Sequence, residues 1–349
     1  MAKRIIFSDL HFGDQSCSLR RQLVTLGLRE FLRGLGQVDE LIFAGDILDA
    51  NISSLTRAIE GVKGSGSWPR QIGFRKWLAF IFEKAKFSVK RIVYIPGNHD
   101  YIIWNILSTE RAFVQPISQG QVPTELPLME GSFPDAFIKG VAPRALRKNF
   151  TVFYPDYEFN LSKKKVLVTH GHYLDEKQTL FKNLDELIKK EGGNIGKAVR
   201  KFFIGAAQYQ AVANAVSYMK SSREFVDKAH KTLNKLFNVF GKLRNKPIDK
   251  VMLQAIELYL RYFRKKSPDI FVFGHTHRAA KAYTDAFRRK SDKPLISKVI
   301  EVWNDGSFIE DRKAKRAGTF LITDDDPMSG GLIKLYEVDL RGNVQEKNV

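Results

Sequence analysis

Residues 40–49, ELIFAGDILD, and residues 90–100, KRIVYIPGNHD, follow one plan: an apolar run ends abruptly in a turn that carries carboxylate, amide or imidazole groups. Short runs rich in β-branched and aromatic residues, bounded by Gly or Pro, read as strands with little exposed face. Working outward, KRIIFSDLH at 3–11 opens the chain in the same way, and KKKVLVTHGH at 163–172 and SPDIFVFGHTH at 267–277 repeat it. A candidate helix over 18–34 and an amphipathic segment around 71–86 lie between the first three runs. The alternation predicts an α/β fold whose functional groups gather beyond the carboxyl ends of its strands. Residues 105–160, with several Pro and Gly, show no sustained period and predict loops and short elements. VIEVWNDGSFI, GTFLITDD and LIKLYEVDL, near the end, read as strands.

From 177 to 266 the spacing is helical, punctuated by the glycines at 192 and 193, Gly241 and Pro247. The expected organisation is therefore a core of 1–176 and 267–349 with a helical cap, 177–266, inserted on one rim. Between 176 and 266 twenty Lys and Arg stand against eight Asp and Glu, a net +12 that supplies much of the chain's +19. A surface of that sign concentrates anionic partners. A hydrophobic content of 44% argues against disorder. No apolar run reaches the length of a membrane span, and the N-terminus does not read as a signal peptide, so cytoplasmic folding is expected. The single cysteine, Cys17, excludes an intramolecular disulfide and a multi-thiolate zinc site.

Five turns carry the chemistry: Asp9-Leu10-His11, Gly45-Asp46-Ile47-Leu48-Asp49, Gly97-Asn98-His99-Asp100, Thr169-His170-Gly171-His172 and Gly274-His275-Thr276-His277. In extended chain, residues two apart share a side, so Asp9 with His11, and His275 with His277, can address one ion. Asp46 can offer both oxygens, and Asn98 an amide oxygen. Asp49 reads as a cap or loop-holding residue. His99 and Asp100 form an adjacent pair in which the carboxylate could support the imidazole. Six of the seven histidines fall in these turns, a concentration that packing or solvation alone does not predict. Together the groups suffice for two adjacent divalent ions, which can activate a water and neutralise charge on a transferring phosphoryl group.

The five turns, in this order, resemble the calcineurin-like metallophosphoesterases, whose pattern is DxH, GDxxD, GNH(D/E), a middle His and GHxH. The resemblance implies a β-sandwich of two mixed sheets flanked by helices. It further implies one ion held by Asp9, His11 and His277, another by Asn98, His170 and His275, and Asp46 bridging them. His99 would assist the leaving group, oriented by Asp100. Manganese is the first expectation for the ions, with iron, zinc, cobalt or nickel also compatible. WNDGSF at 303–308 resembles the glycine-containing turn that follows GHxH in this family.

FSDLHFG, GDILDA, HGHYLD and GHTHR resemble, more narrowly, the UDP-2,3-diacylglucosamine hydrolases, although many of those carry Arg where this chain has His99. The expected substrate is thus a phosphoanhydride or phosphodiester in an amphiphilic, UDP-linked lipid or other anionic small molecule. Its tail would lie in the cap, with peripheral contact at the inner membrane surface. A nuclease or cyclic-nucleotide phosphodiesterase is the enzymatic alternative, with nucleic acid as partner. A noncatalytic membrane-surface metal-binding protein is the non-enzymatic one.

Overall fold

The computed structural model describes residues 2–50, 53–64, 68–83, 87–100, 115–121, 131–133, 140–174, 248–263, 267–286, 296, 298–325 and 331–348. The expected cap falls outside them apart from 248–263. Two compact units divide the chain: Met1–Gly171 with Pro268–Lys281 and Ile300–Val349, and His172–Ser267 with Ala282–Val299.

The strands, in chain order, are β1 (Lys3–Phe7), β2 (Gln37–Ala44), β3 (Gly61–Val62), β4 (Gln71–Ile72), β5 (Ser88–Ile95), β6 (Gly131–Phe133), β7 (Phe150–Tyr154), β8 (Asp156–Leu161), β9 (Lys164–Thr169), β10 (Ile270–Phe273), β11 (Ala280–Tyr283), β12 (Glu301–Asn304), β13 (Arg316–Asp324), β14 (Leu332–Asp339) and β15 (Val344–Lys347). They form an eight-stranded sheet in the order β15-β14-β13-β1-β2-β5-β7-β6, a five-stranded sheet in the order β11-β12-β10-β9-β8, and the small pair β3-β4. The structure is mixed α/β, with sheets flanked by helices. β7 and β8 are short elements within the stretch expected to hold loops and short elements, 105–160. FTVFY and DYEFNL alternate buried and less buried positions, the signature of strands, with Pro155 between them.

Side-chain alternation builds the layers. From β1, β2 and β5, residues Ile5, Phe7, Leu41, Phe43, Ile92 and Tyr94 enter one buried cluster. Their neighbours Ile6, Ile42, Ala44, Val93 and Ile95 enter another, shared with Val166 and Val168 of β9 and Ile270 and Val272 of β10. The second cluster is the filling between the two sheets. The first is closed by the helices α1 (Gln22–Leu35) and α3 (Phe74–Phe82), which flank the short α2 (Leu55–Glu60) in sequence. Val24, Leu28 and Leu32 of α1 recur at four-residue spacing and are fully buried, which is why this stretch is a helix packed on a sheet. Each such side chain contributes about 1.5–3 kcal/mol by leaving water. Gly36, at φ 70°, ends α1 in a conformation that favours glycine.

Strand direction then gathers the five turns. β1 pairs parallel with β2, and β2 with β5, so the loops after Phe7, Ala44 and Ile95 leave the same edge. β10 runs parallel to β9 and β12, which brings the loops after Thr169, Phe273 and Asn304 together in the same way. Lys250–Phe263, in the second unit, is a helix with Met252, Leu253, Ile256, Tyr259 and Leu260 buried. Among the described residues no helix is long and apolar enough to cross a membrane.

Candidate metal centre

The loops continue the register of their strands before they bend. Asp9, His11 and Phe12 donate their backbone N–H groups to the carbonyls of Gly45, Asp46 and Ile47 at 2.9–3.0 Å. Asp9 and His11 are not in extended chain, contrary to the spacing argument: both have positive φ, 52° and 50°. Asp46, His275 and His277 share this left-handed backbone, at 52°, 64° and 59°. An L-residue there costs about 1 kcal/mol or more, and such costs persist where a fixed side-chain arrangement is over-determined by its surroundings. Five candidate ligands among the seven described non-glycine residues of positive φ point to a site built for geometry.

The side chains converge in three overlapping groups whose donor atoms lie within 4.8 Å of one another: Asp9, His11 and His277; His11, Asp46 and His99; and Asp46, His170 and His275. His277 Nε2 is 3.0 Å from Asp9 Oδ1 and 3.2 Å from His11 Nε2. His170 Nε2 is 3.3 Å from Asp46 Oδ2 and 3.1 Å from Asn98 Oδ1. Asp46 Oδ2 also lies 3.8 Å from His11 Nε2 and 4.0 Å from His99 Nε2, so it faces both sides of the cluster. The seven residues Asp9, His11, Asp46, Asn98, His170, His275 and His277 are therefore brought together.

Three imidazoles are aimed by oxygens behind them. His170 Nδ1 faces the Ala44 carbonyl at 3.0 Å, His11 Nδ1 faces Asp49 Oδ2 at 3.2 Å, and His99 Nδ1 faces Asp49 Oδ1 at 3.1 Å. When Nδ1 carries the proton, Nε2 presents a lone pair to the centre. The Nε2 lone pair of a neutral His170 then meets oxygen lone pairs of Asn98 and Asp46, an arrangement that a proton or a metal cation resolves. Asp9 Oδ1 is wholly buried without a well-directed hydrogen bond. These donors fit a divalent cation on either side of Asp46.

Electrostatics agree with the geometry. Burial would raise the Asp46 carboxyl, but His170 and His99 outweigh it and hold the group well below the usual carboxylate range. Burial would likewise raise Asp9, and His277 and His11 reverse it. Burial would lower His170, yet Asp46 holds it up at about 9. His11 and His99 are also raised against burial, by Asp49 with Asp9 for the first and by Asp46 with Asp49 for the second.

Asp100 does not orient His99. Its carboxylate accepts from the Gly97 backbone N–H, from Ile47 N at 2.9 Å and from the Tyr94 hydroxyl at 2.5 Å. It thereby ties the loop after β5 to the loop after β2. Burial, then the nearby Asp46, pushes its pKa up. Asp49 holds His99 instead, although its sequence position suggests a cap or loop-holding residue.

Glycines make room. Gly45 has φ 89°, and a Cβ there would collide with the His170 ring; a Cβ on Gly97 would collide with Asp46. Behind the centre, Asn304 Nδ2 donates to the Gly274 carbonyl at 2.7 Å and to Thr276 Oγ1 at 3.0 Å, which latches the loop carrying His275 and His277. The Ser8 hydroxyl donates to Asp305 Oδ1 at 2.7 Å, and the His275 backbone N–H to Asp9 Oδ2 at 2.9 Å. Asn304 and Asp305 have one signal in the sequence, the polar NDG turn after an apolar strand. His172 belongs to the second unit, in a short 3-10 turn at His172–Leu174.

A model of the calcineurin-like phosphoesterase family matches residues 2–279 of the chain. Comparison with curated proteins gives no match. Among solved structures, the chain is similar to vacuolar protein sorting 29 from Cryptosporidium parvum, with 12% identity, TM-score 0.37, and coverage of 99% of this chain and 95% of that one. It is similar to a metallophosphoesterase from Sphaerobacter thermophilus, with 13% identity, TM-score 0.36, and coverage of 97% and 88%. Chaetomium thermophilum Vps29 gives 10% identity, TM-score 0.34, and coverage of 100% and 96%. All three are remote similarities.

Proposed function

Because the chain belongs to the calcineurin-like phosphoesterase family, whose chemistry is metal-dependent hydrolysis of phosphoesters, we propose that it cleaves a phosphoanhydride or phosphodiester with two divalent cations. Asp9, His11 and His277 would hold one and Asn98, His170 and His275 the other, with Asp46 shared. The observation that carries the reading is the position of Asp46 Oδ2, facing His170, His11 and His99 at 3.3, 3.8 and 4.0 Å. When bound, a cation pair supplies an activated water and charge stabilisation of the phosphoryl oxygens.

His99 is the candidate for the leaving oxygen. Its side chain keeps 24% of its surface exposed, whereas His11 keeps 4% and His170 1%. Asp46 and Asp49 push its pKa up, which favours the protonated ring, the form that can meet developing negative charge or give up its Nε2 proton. Asp49 is a positioning residue, fixing the ring through Nδ1.

The finer substrate assignment is an amphiphilic, UDP-linked lipid received by a cap at 177–266. Its support is the sequence: a net +12 over 176–266 interleaved with apolar groups such as Phe202, Phe203, Leu236, Phe237 and Phe240. Manganese as the cation and peripheral contact with the inner membrane surface belong to the same proposal.

Metal analysis and turnover after reconstitution test the hydrolytic reading. The wild-type chain should bind two divalent ions and cleave an activated phosphodiester, and Asp46→Ala should lose metal and activity together. Undiminished turnover in that variant would overturn it. For the finer assignment, head-group-matched substrates differing in acyl length should show affinity rising with each methylene by about 0.8 kcal/mol. A flat series, with DNA or a cyclic nucleotide cleaved faster, would replace the lipid by a nucleic-acid or nucleotide substrate.

A further inference from the structure

We propose that the cleft beside His277 binds a second phosphoryl group, adjacent to the one that is cleaved, so that the chain prefers phosphoanhydrides to simple diesters. This deepens the hydrolytic reading above and rests on it. The cleft has a volume of 530 Å³, within the range of small-ligand sites. Its lining includes five cationic side chains, Arg20, Arg278, Arg312, Lys313 and Arg316. His277 lines it as well. That imidazole is the open member of its donor group, with 38% of its side-chain surface exposed, against 4% for His11 and 0% for Asp9. The solvent side of the Asp9, His11 and His277 group therefore opens onto the cationic cleft.

Two carboxylates, Glu310 and Asp311, share the lining with these five cations. Glu310 is already engaged: it accepts from Arg21 at 2.6 and 2.9 Å and from Arg312 at 2.6 Å, and lies 3.8 Å from Arg20. Asp311 reaches Arg316 only at 3.9 Å. Lys313 is exposed. A phosphoryl group already held by metal donors has no use for a further patch of this sign at its side. A diester with uncharged arms would leave these cations facing an apolar substituent. A second phosphate group gives them charge-assisted, bidentate partners, which guanidiniums are shaped to hold. Thr276, Ser307 and Gln15 supply neutral donors on the same wall.

The decisive experiment titrates inorganic pyrophosphate and orthophosphate into EDTA-treated full-length protein by calorimetry at fixed ionic strength, which removes any metal contribution. Pyrophosphate should bind roughly tenfold more tightly than orthophosphate, and Lys313→Glu should weaken pyrophosphate roughly tenfold. Unchanged thermal melting of the variant would establish that its fold is intact, and Lys313→Gln should fall between the two. Equal binding of the two anions, an unaffected Lys313→Glu, or tighter binding of a short DNA strand than of pyrophosphate would overturn the proposal. With metal restored, the ratio of kcat/KM for a nucleoside diphosphate ester to that for bis-p-nitrophenyl phosphate should fall about tenfold in Lys313→Glu; an unchanged ratio would count against the cleft. If the metal-loaded wild type cleaves neither compound, the hydrolytic reading fails, while the pyrophosphate titration still decides whether the cleft is a phosphate site.

Discussion

The Asp49 carboxylate lies between two imidazoles, with Oδ2 3.2 Å from His11 Nδ1 and Oδ1 3.1 Å from His99 Nδ1. One buried group thus orients a candidate ligand and the candidate leaving-group histidine together. The two imidazoles hold its pKa well down although burial would raise it, so its negative charge is present throughout the neutral range.

Replacing Asp49 by Asn keeps the size and removes that charge. Outer partners of metal-bound histidines typically contribute 10- to 100-fold in affinity or activity. Asp49→Asn should weaken metal binding through His11 and slow turnover through His99, each by about that factor. Asp100→Asn, whose contacts are Tyr94 and three backbone N–H groups, should lower melting temperature with a smaller effect on the pH profile of turnover. Metal titration and kcat against pH on both variants separate the roles; matching profiles would remove the distinction.

His99→Ala should keep most metal and lose roughly 10²- to 10⁴-fold in kcat, the usual scale for a positioned proton donor. The loss should shrink as the leaving alcohol becomes more acidic, because a good leaving group needs less help. Turnover of a series of aryl phosphodiesters, alongside metal content, checks this. A uniform loss across the series would place His99 elsewhere in the reaction.

The positions of the candidate ligands are legible because each follows a strand, and a run such as IFVF or LIFA shows where the strand ends. Their backbone conformation is not. A spacing of two suggested extended chain for Asp9 and His11, while the structure has both at positive φ, held by hydrogen bonds to Gly45 and Asp46. Sequence adjacency also favoured Asp100 as the partner of His99. In a tight turn neighbouring side chains diverge, and the actual partner comes from a loop 50 residues away. Nothing local to GDILD distinguishes a cap from a residue shared by two imidazoles. β7 and β8 were obscured by Pro155 and by their mixed polar faces, whose burial depends on strands far off in sequence.

Gly45→Ala tests the close packing directly. The residue is at φ 89°, where an L side chain is strained, and the added methyl would run into the His170 ring. Backbone strain alone costs about 1–2 kcal/mol, and displacement of His170 adds a loss of metal affinity. The variant should melt at lower temperature even in EDTA, and metal should rescue it less than it rescues the wild type. An unaltered melting temperature in EDTA would mean that the β2 loop relaxes around the methyl.

The Glu310 carboxylate supplies a pH dependence remote from the ligands. Arg21 and, beyond burial, Arg312 hold its pKa down at about 2, below the ordinary 4.5. A carboxyl whose folded pKa is depressed adds stability that is complete above its unfolded pKa and disappears as pH falls through the folded one. The stabilisation from this group should therefore be full above pH 4.5 and decline between 4.5 and about 2. Both guanidiniums are open to solvent, with 39% of the Arg21 side chain and 76% of the Arg312 side chain exposed. Screening accordingly limits the contribution to about 1 kcal/mol. Other carboxylates titrate in the same window, so the measurement is a difference: thermal melts of wild type and Glu310→Gln in EDTA, from pH 7 downward. The wild type should be the more stable by a constant margin to about pH 4.5, after which the curves should approach one another. A gap that stays constant to pH 2 would show that the carboxylate's charge contributes nothing and that only the shape of the side chain matters.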